Sequence, residues 1–292
     1  MARTKTLKGS VNSVKADGKQ AAKKAAYSPT MDRLTRLGYA IKGLIYIIIG
    51  LLAIQGALGK SSTPADQLGA IAAISKLPYG MLALWIVLIG LISYSLWGLI
   101  RAFLDPFHKG NDTEGLLIRG GYLVSAVTYA SFILPTYELI TGAGGGSQSH
   151  QTVKFVAAVM STTWGRVGVG ILGLAVVAGG FYQIYLGITS NFDKQFKPYA
   201  LNPQQLKIAK QLGRYGTIAR GVVFALVGFF LCLAAFYANP STAKGFNGAL
   251  NFLARQPYGL WLLGIIALGL IAFGVYSIMS AAWFKLKKQP RR

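Results

Sequence analysis

Arg36-Leu37-Gly38-Tyr39-Ala40-Ile41-Lys42-Gly43 decides how this chain is read, because the stretch returns twice. Its start recurs as Arg119-Gly120-Gly121-Tyr122 and, more loosely, as Arg214-Tyr215-Gly216-Thr217. Arg220-Gly221 repeats the Lys42-Gly43 pair, whereas the second copy carries Ser125-Ala126 there. Downstream, Lys76-Leu77-Pro78-Tyr79-Gly80 recurs as Arg255-Gln256-Pro257-Tyr258-Gly259. The second copy has Trp164-Gly165 without the proline and is the divergent one. Each copy reads as a pair of membrane-spanning helices.

Composition agrees. Of 292 residues 53% are hydrophobic and 13% charged, the balance of a membrane protein. Six uncharged runs stand out: Gly43–Gly59, Leu77–Ile100, Gly120–Tyr137, Val167–Phe192, Gly221–Ala243 and Gln256–Phe284. A hydrocarbon core about 30 Å thick takes roughly 20 apolar residues per helix, and every run is long enough. No strict alternation suggests a membrane barrel. The first run begins far from the N-terminus and is too long for a signal-peptide core, so it is expected to remain as a helix.

The expected fold is therefore all-α and integral to a membrane. Six transmembrane helices form three parallel two-helix repeats around a pseudo-threefold axis. Residues 1–35 form a basic tail, 36–110 repeat one, 111–200 repeat two, 201–285 repeat three and 286–292 a basic C-terminal tail. The N-terminal tail reads as disordered until it meets lipid or a partner, with Gly18–Ala26 as the alternative, a short basic helix that Pro29 would end. Between the two helices of each repeat, Ala65–Lys76, Thr152–Ser161 and Lys244–Ala254 carry apolar residues at helical spacing, as short interfacial helices would. Pro78 and Pro257 suit the first turn of the helix that follows.

Charge sets the orientation. With the N-terminus in the cytoplasm, 24 of the 30 Lys and Arg fall on the cytoplasmic side and six on the other. This is the positive-inside pattern, with both termini cytoplasmic. The net charge of +22 flanks apolar helices, where it attracts anionic lipid rather than nucleic acid.

Arg36, Arg119 and Arg214 recur just before a helix, and Lys42 and Arg220 lie six residues further on. A topology anchor that snorkels to the head groups needs no fixed spacing. The anchor is the first reading of these residues, and the recurrence adds a second, equivalent cytoplasmic sites for anionic lipid or an acidic partner. Glu138 lies near the outer end of the third helix, with Arg166 as its expected partner if it is inside the membrane. The glycines of the fourth and sixth helices read as close-packing surfaces. Tyr94 with Trp97, Tyr182 with Tyr185, and Phe273 with Tyr276 read as aromatic belts at the interface.

Catalytic, metal and cofactor chemistry find no foothold. His108 and His150 fall on opposite sides of the membrane, and Cys232 stands alone, which excludes a cluster site. No nucleophile triad, phosphate loop or paired intramembrane carboxylates occur. No enzyme activity and no cofactor are expected.

The Arg-x-Gly-Tyr-x-x-(Lys/Arg)-Gly entry, the Pro-Tyr-Gly step, and Gly90-Leu91 and Gly269-Leu270 ten residues beyond it together resemble the bacterial family called domain of unknown function 1206. The resemblance spans about residues 33–285. It implies three two-helix units in a bacterial cytoplasmic (inner) membrane and brings no activity with it. The expected role is a structural or accessory subunit that binds anionic lipid or a membrane protein complex. The alternative is a channel or small-solute or lipid transporter with a path along the repeat axis.

Overall fold

The computed structural model describes residues 29–60, 65–105, 110, 112–143, 148–190 and 202–283. The basic stretch 18–26 of the N-terminal tail and the C-terminal tail 286–292 lie outside them. The described residues form α1 (Pro29–Ala57), α2 (Gln67–Ser75), α3 (Gly80–Leu104), α4 (Thr113–Ala130), α5 (Ile133–Thr141), α6 (Gln148–Val159), α7 (Thr163–Thr189), α8 (Pro203–Phe236), α9 (Phe246–Ala254) and α10 (Gly259–Trp283), with a 3-10 turn at Pro240–Thr242. Six crossings are long and apolar enough to span a bilayer: α1, α3, the α4–α5 pair, α7, α8 and α10.

Local chemistry explains where the helices depart from the apolar runs. Pro29 begins α1. α8 starts at Pro203, well ahead of its apolar run, because Asn202 and Gln205 close a reciprocal capping box in front of it. The third crossing breaks at Ser131–Phe132. Pro135 has no N–H for the carbonyl one turn earlier, and its ring crowds that carbonyl.

Pro78 and Pro257 sit in tight turns ahead of α3 and α10 rather than in their first helical turns. The residue after each, Tyr79 (φ 61°) and Tyr258 (φ 59°), is left-handed. Gly80 follows because a Cβ there would stand 2.4 Å from the Ser75 carbonyl oxygen. Tyr79, Trp164 and Tyr258 all project outward at this step, each more than four-fifths exposed.

One pairing rule recurs. The first helix of a repeat packs on the second helix of the repeat before it: α1 on α10, α4 on α3, α8 on α7. Glycines make the approach possible. On α7, Gly173, Gly180 and Gly187 lie against Gly228–Cys232, Gly221–Ala225 and Arg214–Ile218 of α8. On α1, Gly43 and Gly50 lie against Gly274 and Ala267 of α10. Small residues let helix backbones meet at van der Waals distance, the main source of association where lipid and side chain are equally apolar.

A second contact, between the two helices of one repeat, is made twice. Gly38 meets Tyr94 and Gly90 meets Ile41 between α1 and α3; Gly216 meets Phe273 and Gly269 meets Ala219 between α8 and α10. The equivalent interface between α4 and α7 in repeat two is not formed to any comparable degree. The six crossings thus run α4, α3, α1, α10, α8, α7 as an arc with its two ends unjoined.

The short helices α2 and α9 are tucked into the bundle. Leu68, Ile71 and Ile74 of α2 and Phe246 and Leu250 of α9 join the core formed by Ile45, Ile49, Leu84, Leu91 and Leu270. Asp66 caps α2 by accepting a hydrogen bond from Gly69 N at 2.8 Å. Asn247 Oδ1 of α9 accepts one from Ala65 N at 2.9 Å, which ties the two short helices together.

Candidate functional site

Three basic side chains lie inside the bundle. Lys42 on α1 and Arg101 on α3 are each only 6% exposed, and Arg220 on α8 is partly buried. Their positions follow from helical spacing. On α1, Tyr39, Lys42 and Tyr46 lie at i, i+3 and i+7 and so share a face; on α4, Tyr122, Ser125 and Tyr129 do the same. Arg101 stands seven residues, two turns, beyond Tyr94 on α3.

The cations alternate with aromatic rings. Arg101 Cζ lies 4.5 Å from the Tyr122 ring centre, 5.7 Å from Tyr94 and 5.8 Å from Trp97. Lys42 Nζ lies 5.0 Å from Tyr94, 5.0 Å from Phe273 and 5.8 Å from Tyr129. Arg220 Cζ lies 5.0 Å from Phe273, 5.0 Å from Phe224 and 5.6 Å from Tyr46. Tyr94 and Phe273 are shared, so the order is Arg101, Tyr94, Lys42, Phe273, Arg220. All three repeats contribute.

Hydrogen bonds only partly satisfy this cluster. Lys42 Nζ donates to the Tyr94 hydroxyl at 3.0 Å, and Arg101 Nη1 donates to the Tyr39 hydroxyl at 3.2 Å. Arg101 Nε and Nη2 and Arg220 Nε are buried without an acceptor in hydrogen-bonding geometry. No salt bridge among the described residues involves any of the three; the one present joins Arg36 to Asp32.

Magnitudes show what is missing. A Lys or Arg at the centre of a membrane helix costs at least about 2.5–3.5 kcal/mol. Three rings per cation, at roughly 0.5–2 kcal/mol each, offset the charge. They do nothing for a buried N–H that points at no acceptor, which costs about 1–3 kcal/mol more. An anion placed among Arg101, Lys42 and Arg220 would supply both the acceptors and the countercharge.

The residues singled out from sequence divide sharply. Lys42 and Arg220 belong to the cluster, as interior groups rather than surface anchors. Arg36 does not reach it: its Nη1 donates to the carbonyls of Ala281 at 2.7 Å and Ala282 at 2.6 Å, at the end of α10. Arg119 does the same for α3, with Nε 2.7 Å from Ala102 O and Nη2 3.3 Å from Phe103 O. Arg214 is exposed. The expected Glu138–Arg166 pair is not formed. Arg166 donates to Ala235 O at 2.5 Å and Phe236 O at 2.7 Å, since the last carbonyls of α8 are unpaired acceptors that attract a cation.

Sequence reasoning missed Arg101 and the tyrosines. Arg101 lies just past the uncharged run Leu77–Ile100, although its place two turns after Tyr94 signals an inward face. Tyr94, Trp97, Phe273 and Tyr276 are buried, so the belt reading fails for them and suits only Tyr182 and Tyr185.

With this geometry in view, comparison with known proteins adds the following. A model of the family described as Domain of Unknown Function (DUF1206) matches residues 37–105, 120–190 and 215–283. The chain is also similar to the uncharacterized protein YxxB of Bacillus subtilis (strain 168), at 37% identity over 255 residues, covering 87% of this chain and 92% of that one. No solved structure matches.

Proposed function

Because the chain belongs to the domain of unknown function 1206 family, whose three tandem units fill most of its length, we propose that the three units are combined to hold an anionic membrane lipid. The protein is read as a non-enzymatic lipid-binding component of a bacterial inner membrane, serving as a structural or accessory subunit. Both termini are cytoplasmic in this reading. The six crossings form a pseudo-threefold ring left open at repeat two, and α6, with Phe155 exposed, is the connecting helix best suited to lie at the outer interface.

One observation carries the reading: three interior cations share a ladder of rings, the two guanidiniums among them have buried donors without acceptors, and no carboxylate among the described residues is paired to any of the three. A phosphate or carboxylate head group satisfies both needs, because charge-assisted hydrogen bonds to guanidinium are strong and directional. A conducting path along the repeat axis is the weaker reading. Ile45, Ile49, Ile71, Leu250 and Leu270 are packed across that region with under 2% exposure.

The test is lipid binding by native mass spectrometry on delipidated protein offered phosphatidylglycerol or phosphatidylcholine. Wild type is expected to retain phosphatidylglycerol at least tenfold better. Arg101→Gln and Lys42→Met should each erase that preference, while Arg166→Gln should keep it. Equal retention of the two lipids by wild type would sink the proposal.

A further inference from the structure

Repeat two differs from its neighbours at one pair of positions. Gly38 meets Tyr94 in repeat one, and Gly216 meets Phe273 in repeat three. The equivalent residues in repeat two are Gly121 on α4 and Gly179 on α7, by the register of the recurring Arg-x-Gly entry and of the aromatic-Gly step. Neither has any neighbouring atom within 4 Å of where a Cβ would stand. The aromatic side chain that fills this interface elsewhere is absent here, and the backbones on both sides are bare.

The consequence reaches the whole crossing. In the most apolar stretches of the third and fourth crossings only 17% of residues are buried, against 44–56% in the other four. α4 packs on α3, α7 packs on α8, and a seam separates them.

The seam adjoins the cation cluster. Tyr122 stands on α4, the helix that forms one wall of the seam, and covers Arg101, 4.5 Å from the guanidinium carbon. Ser125 and Tyr129 continue the same face of α4 inward, and the Tyr129 ring faces Lys42. A buried guanidinium with two donors lacking acceptors thus lies one aromatic ring behind an opening between two membrane-crossing helices.

We infer that the seam between α4 and α7 is a lateral entry through which an anionic phospholipid passes from the bilayer, its acyl chains between the two helices and its phosphate directed to Arg101 and Lys42. This rests on the lipid-binding reading above. Charge complementarity favours a lipid as the occupant: the opening is apolar at its glycine walls and cationic at its inner end. A second copy of this chain would bring its own surplus of positive charge to the same place.

The experiment closes the seam without touching the cations. Gly179→Phe places at repeat two the ring that repeat three carries, and Gly121→Phe closes it from the opposite wall. Gly264→Phe, at an equally open position on α10, is the control. Full-length protein in nanodiscs of phosphatidylglycerol is mixed with deuterated phosphatidylglycerol, and native mass spectrometry follows replacement of the bound lipid.

Both closing variants are expected to slow exchange at least tenfold, with Gly264→Phe at the wild-type rate and all three melting near wild type. Wild-type exchange rates in both would overturn the entry while leaving lipid binding intact; no bound phosphatidylglycerol in wild type would overturn both. Displacement of the bound lipid by inorganic phosphate at equal concentration would show that a free anion, not a lipid, is the occupant. A dimer mass lost in the closing variants would give the seam to a second copy and reject the inference.

Discussion

Arg36 joins the first crossing to the last: its Nη1 lies 2.7 Å from the carbonyl oxygen of Ala281. Arg119 does the same between α4 and α3 through Ala102 at 2.7 Å. Both arginines serve last-turn carbonyls that have no partner within their own helix, and the cation also complements the negative end of the helix dipole. Hydrogen bonds to a charged group contribute about 1.5–3 kcal/mol. Arg36→Gln and Arg119→Gln are therefore expected to lose about that much stability, and the exposed Arg214→Gln much less. Thermal melts in one detergent would check the order; a loss at Arg214 as large as at Arg36 would contradict it.

Glycines in two of the crossings should respond with opposite signs. A Cβ on Gly180 would stand 2.5 Å from the Ala225 backbone nitrogen, and both neighbours are rigid helix. Gly180→Ala should therefore push α7 off α8 and destabilise by about 1–3 kcal/mol, as overpacking does. At Gly264 nothing lies within 4 Å, so Gly264→Ala should gain up to about 1 kcal/mol from helix propensity. Guanidinium-free unfolding in mixed micelles would measure both, and equal shifts would remove the close-packing account of Gly180.

Asp66 gives the stability a pH dependence. It is fully buried as the cap of α2, and burial pushes its carboxyl above the usual carboxylate range, against the pull of the helix-start N–H groups. An acid raised in the folded state contributes fully at pH below its unfolded value. That contribution is lost as pH rises from the unfolded value through the folded one. Asp66→Asn keeps the cap and has no charge to bury, so its melting temperature should equal or exceed wild type at pH 8 and lack the decline. A wild-type curve flat from pH 4 to 8 would refute this, while Asp66→Ala should cost about 1 kcal/mol at acid pH through loss of the cap and less at pH 8, where the buried charge is removed with it.

Tyr79 pays a backbone cost at its turn. Its φ of 61° is a left-handed conformation that costs a non-glycine residue about 1–2 kcal/mol. Tyr79→Gly should therefore stabilise the protein by about 1 kcal/mol in detergent, where the exposed ring anchors nothing. In a bilayer the gain should shrink, because the ring suits the interface. The same gain in both media would remove the anchoring role.

Much of the site was legible and some was not. Lys42 and Arg220 were visible through their recurrence six residues after Arg36 and Arg214, each directly before a glycine. That they point inward was not, because a basic residue one turn into a span snorkels outward as readily as it turns to a ring. Arg101 was hidden because linear order puts it at the edge of a loop. The Glu138–Arg166 expectation paired two residues of one repeat, but Arg166 serves the end of the next repeat's helix, a choice set by three-dimensional neighbours.

Hydrophobic length and recurring glycines determined six crossings in three tandem pairs, since both are local properties of a chain placed in lipid. Which helices pair across repeats, how α2 and α9 enter the core, and where repeat two parts were decided only by the tertiary structure. Contacts such as Gly43 with Gly274 or Arg36 with Ala281 join residues more than two hundred positions apart. At Gly179, the meaning of a missing ring depends on what its counterparts Tyr94 and Phe273 touch, which no reading of one strand of letters contains.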